Sequence, residues 1–128
     1  MDPIADMLIQ IKNGSLVRKE SVLVPYAKFS QAVADVLVRE GYLTAANKKG
    51  RKEKKILELE IAYENGKPKV EDVQRLSKLS RRKYIGVHEI RPVRQGYGTL
   101  VLSTPKGVLT GEEARRQKVG GEALFKIW

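Results

Sequence analysis

Two clusters in this chain carry side chains that could recognise a ligand. Arg81-Arg82-Lys83-Tyr84 sets three cations beside an aromatic ring, and Arg91 and Arg94 follow closely. Cations of this kind neutralise phosphates, and an aromatic ring stacks on a base or a ribose. A tyrosine can equally be a core anchor whose hydroxyl reaches solvent, so both roles stay open for Tyr84. Ser103-Thr104-Pro105-Lys106-Gly107 offers two hydroxyls, a cation and backbone N–H groups on a tight turn. Small hydroxyl residues reach base edges and 2′-hydroxyls in the shallow minor groove of RNA, where a bulky side chain would stand off. The same five residues also make an ordinary loop. The neighbouring capped helix and the Gly120-Gly121 pair give them weight, because both would hold the turn rigidly.

Catalytic chemistry has little to work with. The chain contains one histidine, His88, and no cysteine. No second histidine can build a relay, nothing resembles a nucleophile elbow, and only Glu89 adjoins His88 as a potential metal ligand. Asp2 and Asp6 share a helix face, but capping and dipole complementation account for them. Glu58 and Glu60 read as the outward face of a strand. Gly96-x-Gly98 lacks the third glycine and the flanking elements of a dinucleotide fingerprint. No catalytic residue, metal site or cofactor is expected. An RNA-processing enzyme is the rival of a different class, and the absent base and metal cluster argue against it.

Net charge supports a polyanionic partner. The 128 residues carry a formal charge of +10. The excess is local. Residues 48–55 hold six cations against one carboxylate, and residues 78–128 hold eleven against four. Such concentration favours a binding surface over general solubilisation. Without cysteine there is no disulfide framework or thiolate metal site. No signal peptide or membrane-spanning helix is expected from the N-terminus or the short apolar runs.

The elements that must position these clusters follow from periodicity. Asp2 as a cap, Pro3 at the first helical position, and Ile4, Met7, Leu8 and Ile11 predict an opening helix, with Asn13-Gly14 as a stop or irregularity. Val22-Leu23-Val24 reads as a strand. A second helix starts near Lys28, buries Phe29, Val33, Val36 and Leu37, and ends at Gly41. Strands follow at Tyr42–Asn47 and Ile56–Ala62, which makes the basic run 48–55 a hairpin tip. Asn65-Gly66 with Pro68 reads as a linker, dividing the chain into 1–66 and 67–128. In the second half Tyr84–Val87 and Thr99–Ser103 are strand candidates. Thr110 with Glu113 is a capping box for a helix over about 111–118, which Gly120-Gly121 stops. Ala123, Phe125 and Ile127 alternate with Glu122, Leu124 and Lys126 in a last strand. The fold class is α+β: two small domains, a helix-strand-helix-strand-strand layer and a β-rich domain with a short helix.

The run from Gly98 to Thr110, Thr-Leu-Val-Leu-Ser-Thr-Pro-Lys-Gly-Val-Leu-Thr after its glycine, followed by Glu-Ala-Arg and Gly120-Gly121-Glu122, resembles the signature of the small-subunit ribosomal protein eight family in its bacterial or organellar form. Asp2–Leu8, Ile11–Gly14, Arg39–Tyr42 and Arg75–Lys78 extend the resemblance over the whole chain. It implies two α+β domains with a shared interface and direct binding to a helical region in the central domain of small-subunit rRNA. It implies contacts with neighbouring small-subunit ribosomal proteins and, in some bacteria, repression of the family member's own operon mRNA. The location implied is the ribosome, cytoplasmic or organellar. Carried over by position, Ser103, Thr104, Lys106 and Gly107 would contact the RNA core. Tyr84 with Arg82 and Lys83, and Gly120, Gly121 and Glu122, would lie near it. Lys28 would approach the same RNA. Two departures stand out. Pro105 replaces the serine common after Ser-Thr, and Leu79-Ser80 replaces a Pro-Gly pair.

Overall fold

A computed structural model describes residues 2–128. The chain forms two compact units, Pro3–Glu71, and Asp72–Trp128 together with Asp2.

The first unit runs α1 (Pro3–Leu16), β1 (Ser21–Pro25), α2 (Lys28–Arg39), β2 (Leu43–Lys49), β3 (Ile56–Ile61), β4 (Tyr63–Glu64) and β5 (Lys67–Pro68). Strands β1, β3 and β2 form an antiparallel sheet in that order. Its apolar face, Val22, Val24, Leu43, Leu57, Leu59 and Ile61, is buried with Met7, Leu8 and Ile11 of α1 and Val33 and Leu37 of α2. Period-2 alternation along β3 and period-3.6 stripes on the helices place these residues inside, as expected. Glu58 and Glu60 do face outward, yet each is engaged: Lys49 Nζ lies 2.8 Å from Glu58, and Asn47 Nδ2 donates to Glu60 over 2.9 Å.

Three expectations for this unit change. Asn13-Gly14 does not stop α1, which continues to Leu16. Gly14 is there because a Cβ would meet Val22 Cγ1 at 2.6 Å and Ile61 Cδ1 at 2.9 Å, so the helix can lie this close to the sheet only without a side chain. Phe29 is 42% exposed, because it sits in the first turn of α2 while Ser30 takes the inward position. Asn65-Gly66 is a hairpin turn and not a linker. Both residues have positive φ (53° and 76°), the geometry a two-residue turn between β4 and β5 requires. That hairpin is fastened to its own unit, with Tyr63 donating to the Lys19 carbonyl over 2.5 Å and Arg18 donating to the Gly66 carbonyl. The units part after Glu71.

The second unit comprises β6 (Val73–Arg75), β7 (Tyr84–Ile85), β8 (Thr99–Thr104), β9 (Gly107–Thr110), α3 (Gly111–Arg116) and β10 (Gly121–Ile127), with 3₁₀ turns at Val87–Glu89 and Arg94–Gly96. The sheet order is β6-β10-β8-β9, and β7 also pairs β10. Leu102, Leu109, Ala114 and Ala123 pack with Ile90, Val93 and Leu100 into one core cluster. Strand β9 was not expected; four residues beginning with glycine give too short a pattern to read. The strict alternation expected of β10 fails at a bulge. Ala123 pairs Leu102 and Phe125 pairs Val101, so Leu124 is the extra residue, and it is buried. The capping box is as expected: Glu113 N donates to Thr110 Oγ1 over 3.1 Å, and Thr110 N donates to Glu113 Oε1 over 2.9 Å. The helix it opens is shorter than expected. Lys118, with φ of 59°, and not the glycine pair, takes the left-handed place beyond its end.

Gly14→Leu is expected to destabilise the chain by about 1–3 kcal/mol through overpacking. Gly14→Ala should cost less, because a gain of about 1 kcal/mol in helix propensity offsets part of the clash. Urea unfolding of the two variants checks the order.

Candidate nucleic-acid interface

The sheet of the second unit brings three of the sequence-nominated residues into one row. Strand β10 starts between β7 and β8, so Glu122 pairs Tyr84 on one side and Ser103 on the other. Paired residues of adjacent antiparallel strands project from the same face. Tyr84, Glu122 and Ser103 therefore stand side by side, although 19 positions or more separate any two of them in the sequence. Tyr84 is 69% exposed, which decides its open role: it is a surface ring and not a core anchor.

The glycine pair makes this row possible. A Cβ on Gly121 would lie 2.1 Å from the Ser103 carbonyl oxygen, and one on Gly120 would lie 2.4 Å from the Ile85 carbonyl oxygen. Both obstacles are backbone, so neither can give way. The pair closes the sheet at its turn end.

Glu122 is the hub behind the row. Its side chain is 16% exposed and lies 3.0 Å from Arg82 Nη1, and it also accepts from the Ser77 hydroxyl. Ser77 is fully buried and accepts from Lys83 N over 3.1 Å, while Ala123 N donates to the Lys83 carbonyl over 2.9 Å. The basic segment is thus tied down from both sides. Burial pushes the Glu122 carboxyl up. Hydrogen bonds from Ser77 and Arg82, with the charges of Arg82 and Arg75, outweigh burial and hold it below its ordinary value of 4.5. The β10 bulge contributes as well. The Leu124 carbonyl accepts from Arg75 Nη1 over 2.7 Å and from Leu76 N over 3.0 Å. Arg75 also holds the Asp2 carboxylate, with its Nη2 2.9 Å from Oδ1. Sequence reading passed over Ser77 and Arg75 as site residues. The one available signal was their place immediately before the basic cluster.

Leu79-Ser80 occupies a tight turn. Lys78 N donates to the Arg81 carbonyl and Arg81 N to the Lys78 carbonyl, each over 3.0 Å. Neither turn residue has positive φ, so no glycine is required there. Beyond this turn Lys78, Arg81, Arg82, Lys83 and Tyr84 line an open groove of about 510 Å³.

The turn from Thr104 to Gly107 closes the β8–β9 hairpin, with Pro105 and Lys106 at its centre. Pro105 suits the first central position, and Gly107 carries the positive φ of 108°. The Thr104 hydroxyl works inside the turn. It donates to the Gly107 carbonyl over 2.8 Å and accepts from Lys106 N over 3.1 Å. The free backbone N–H groups expected here are therefore not available: Pro105 has none, and that of Lys106 is engaged. Among the described residues the Ser103 hydroxyl has no protein partner, and the Lys106 side chain is exposed. Of the two hydroxyls, Ser103 is the one open to a ligand, and Thr104 shapes the loop that presents Lys106.

Residues 2–128 match the family Ribosomal protein S8. Similar proteins are the small ribosomal subunit protein uS8 of Persephonella marina, 44% identical with 99% of this chain and 98% of the relative covered, and that of Dictyoglomus thermophilum, 42% identical with 99% and 97% covered.

The chain belongs to the ribosomal protein S8 family.

It is a structural, non-enzymatic protein. Among the described residues no group of His, Cys, Asp or Glu could hold a metal, and no helix is long and apolar enough to cross a membrane. Lys28, the remaining nominated residue, opens α2 in the first unit. In the basic tip, Lys48 stands over the Tyr26 ring at 4.4 Å and Lys49 pairs Glu58, so two of its six cations have intramolecular work.

Gly121→Ala is expected to cost about 2–3 kcal/mol, because backbone must separate from backbone to admit the methyl. Differential scanning calorimetry checks it. The lowered Glu122 value means that its stabilisation is present above pH 4.5 and is lost as pH falls through the depressed value. Acid unfolding of Glu122→Gln should therefore show a shallower pH dependence below about pH 4.5 than the unaltered chain.

Proposed function

We propose that this chain is a structural constituent of the small ribosomal subunit that binds directly to a helical region in the central domain of the small-subunit rRNA and helps it assemble. The carrying observation is the row Tyr84–Glu122–Ser103 beside the rigid Thr104–Gly107 turn. A ring for stacking, a partnerless hydroxyl and an exposed lysine lie along one sheet end, with the cationic groove of residues 78–84 next to them. That combination suits an RNA helix with an unstacked or widened position: phosphates meet the cations, and a 2′-hydroxyl or base edge meets Ser103. The ribosomal names of the relatives support the same reading. An mRNA that reproduced the same helix would meet the same surface, which allows repression of the chain's own operon. The molecule works in the ribosome beside neighbouring small-subunit proteins.

Roles divide within the site. Lys106 and Arg81 supply phosphate affinity. Ser103 supplies readout, and Thr104 holds the loop. Removing one phosphate-neutralising cation should flatten the log–log salt dependence by about 0.9 on a B-DNA-like duplex, with RNA roughly comparable. Lys106→Ala is expected to flatten the slope by that amount. Ser103→Ala should weaken the cognate helix by about 1–3 kcal/mol and leave a non-cognate duplex nearly unchanged. Thr104→Ser should retain binding where Thr104→Val loses it. Filter binding across a salt series, with hydroxyl-radical footprinting on the rRNA central domain, checks all three. A footprint elsewhere, or equal weakening of both RNAs by Ser103→Ala, overturns the assignment.

A further inference from the structure

The row and turn described above belong to the second unit, whereas the largest local excess of charge lies in the first, at residues 48–55, with six cations against one carboxylate. Backbone contacts give this tip a defined shape. Strands β2 and β3 stay paired as far as Lys49 opposite Ile56. Gly50 then turns with a φ of 100°, and a Cβ there would lie 2.1 Å from the Lys54 carbonyl oxygen. Lys54 N donates to the Arg51 carbonyl over 3.0 Å and closes the turn. Tyr26 N donates to the Lys55 carbonyl over 3.1 Å and ties the far end of the turn to the segment after β1. Lys48 and Lys49 are taken up by the Tyr26 ring and by Glu58. Arg51, Lys52, Lys54 and Lys55 are all exposed, and among the described residues none of them pairs with a carboxylate. One hydrogen-bonded turn therefore presents four uncompensated cations within five residues, a local potential that draws a polyanion.

The residue types tell which polyanion. Residues 48–55 contain no apolar side chain, and five of the six cations are lysines. Protein interfaces have an apolar centre and are poor in lysine, so an acidic protein is the worse match. A lysine ammonium is a point charge on a flexible stem, which suits a phosphate. The tip also holds no hydroxyl, side-chain amide or aromatic ring with which to read base edges or stack on an unpaired base. The partner that offers phosphates and hides its bases is a duplex, and in A-form RNA the phosphates border a deep, narrow major groove. We propose that the 48–55 tip is a second RNA contact of this chain, in which Arg51, Lys52, Lys54 and Lys55 neutralise the backbone of an rRNA helix without reading its sequence. The inference rests on the RNA-binding reading above and adds a contact of another kind, one that raises affinity and leaves the choice of site to the second unit.

Two measurements on the full chain test it. In the first, Arg51→Gln, Lys52→Gln, Lys54→Gln and Lys55→Gln are combined, and filter binding to small-subunit rRNA and to a non-cognate duplex is followed across a salt series. The log–log slope is expected to flatten by about 3–4 on both RNAs, at about 0.9 per phosphate contact, with the ratio of the two affinities unchanged within about twofold. Urea unfolding shows whether the fourfold variant folds. If it does not, Lys54→Gln with Lys55→Gln is read instead, with about half the flattening. In the second measurement, Lys54→Cys supplies the sole thiol of a chain without cysteine, and a tethered iron chelate on it cleaves the RNA backbone nearby. Cleavage at discrete positions of an rRNA helix is expected. An unchanged slope, which an acidic protein partner would give, overturns this inference and leaves the site at Ser103 standing. So does a fall in the cognate preference, or cleavage that is absent or spread evenly over the RNA. If the unaltered chain leaves no footprint on the central domain, the ribosomal reading fails and this inference with it.

Discussion

The approach of β10 to its neighbours at Gly120 and Gly121 is the constraint on which the candidate interface depends. The Ser103 and Ile85 carbonyl oxygens lie where side chains at the start of β10, on Gly121, and just before it, on Gly120, would have to be. With hydrogen there instead of carbon, β7, β10 and β8 close into one sheet end, and Tyr84, Glu122 and Ser103 fall into register. Everything downstream uses that register. Glu122 can reach Ser77 and Arg82 only from this position, and Ser77 in turn holds the backbone of Lys83. The cationic segment is a fixed surface because a buried polar network stands behind it. Such a network is stable only when every member has its partner. Here the buried Ser77 hydroxyl and the largely buried Glu122 carboxylate both have theirs.

The division of labour between charge and shape follows from where the cations sit. Arg75 and Arg82 are engaged with Asp2 and Glu122 and act as framework. Lys78, Arg81, Lys83 and Lys106 are exposed. In the proposed RNA complex, phosphate affinity would come from that second group and be long-ranged and salt-sensitive, while recognition would need hydroxyls at fixed positions. The turn meets this need with few atoms. Proline presets its φ, glycine accepts the positive φ, and the Thr104 hydroxyl bonds at two points across it. Pro105 in place of serine removes a hydroxyl and a donor from the family pattern. Lys106 N, engaged with Thr104, is no replacement. On the proposed reading, the turn is left with Ser103 as its one hydroxyl not engaged within the protein.

Much of this was legible in the chain. Helix stripes and strand alternation place the first unit's core, and Thr110 with Glu113 marks the start of α3. The Gly98–Gly121 signature and the matches along the chain point to the family. The failures share a cause: each concerns a residue whose role is set by a neighbour remote in sequence. Gly14 reads as a helix stop but is a contact with β1 and β3. Gly120-Gly121 reads as a helix terminator but admits two carbonyls, while Lys118 ends the helix. Leu124 breaks the alternation because β10 bulges against β8, and Asn65-Gly66 reads as a linker because a two-residue hairpin uses the same residues.

Sequence by itself therefore determined which residues are available for the work: the local excess of cations, the two hydroxyls on a turn, and the lack of groups for catalysis. Residue types and short-range periodicity carry that information, because propensity, charge and capping act over a few positions. Only the tertiary structure decided which of them act together. It put Tyr84, Glu122 and Ser103 in one row, engaged the Thr104 hydroxyl and left that of Ser103 without a protein partner. Strand register and backbone approach are set by packing across the sheet, and no spacing along the chain encodes a carbonyl oxygen 2.1 Å from an absent Cβ.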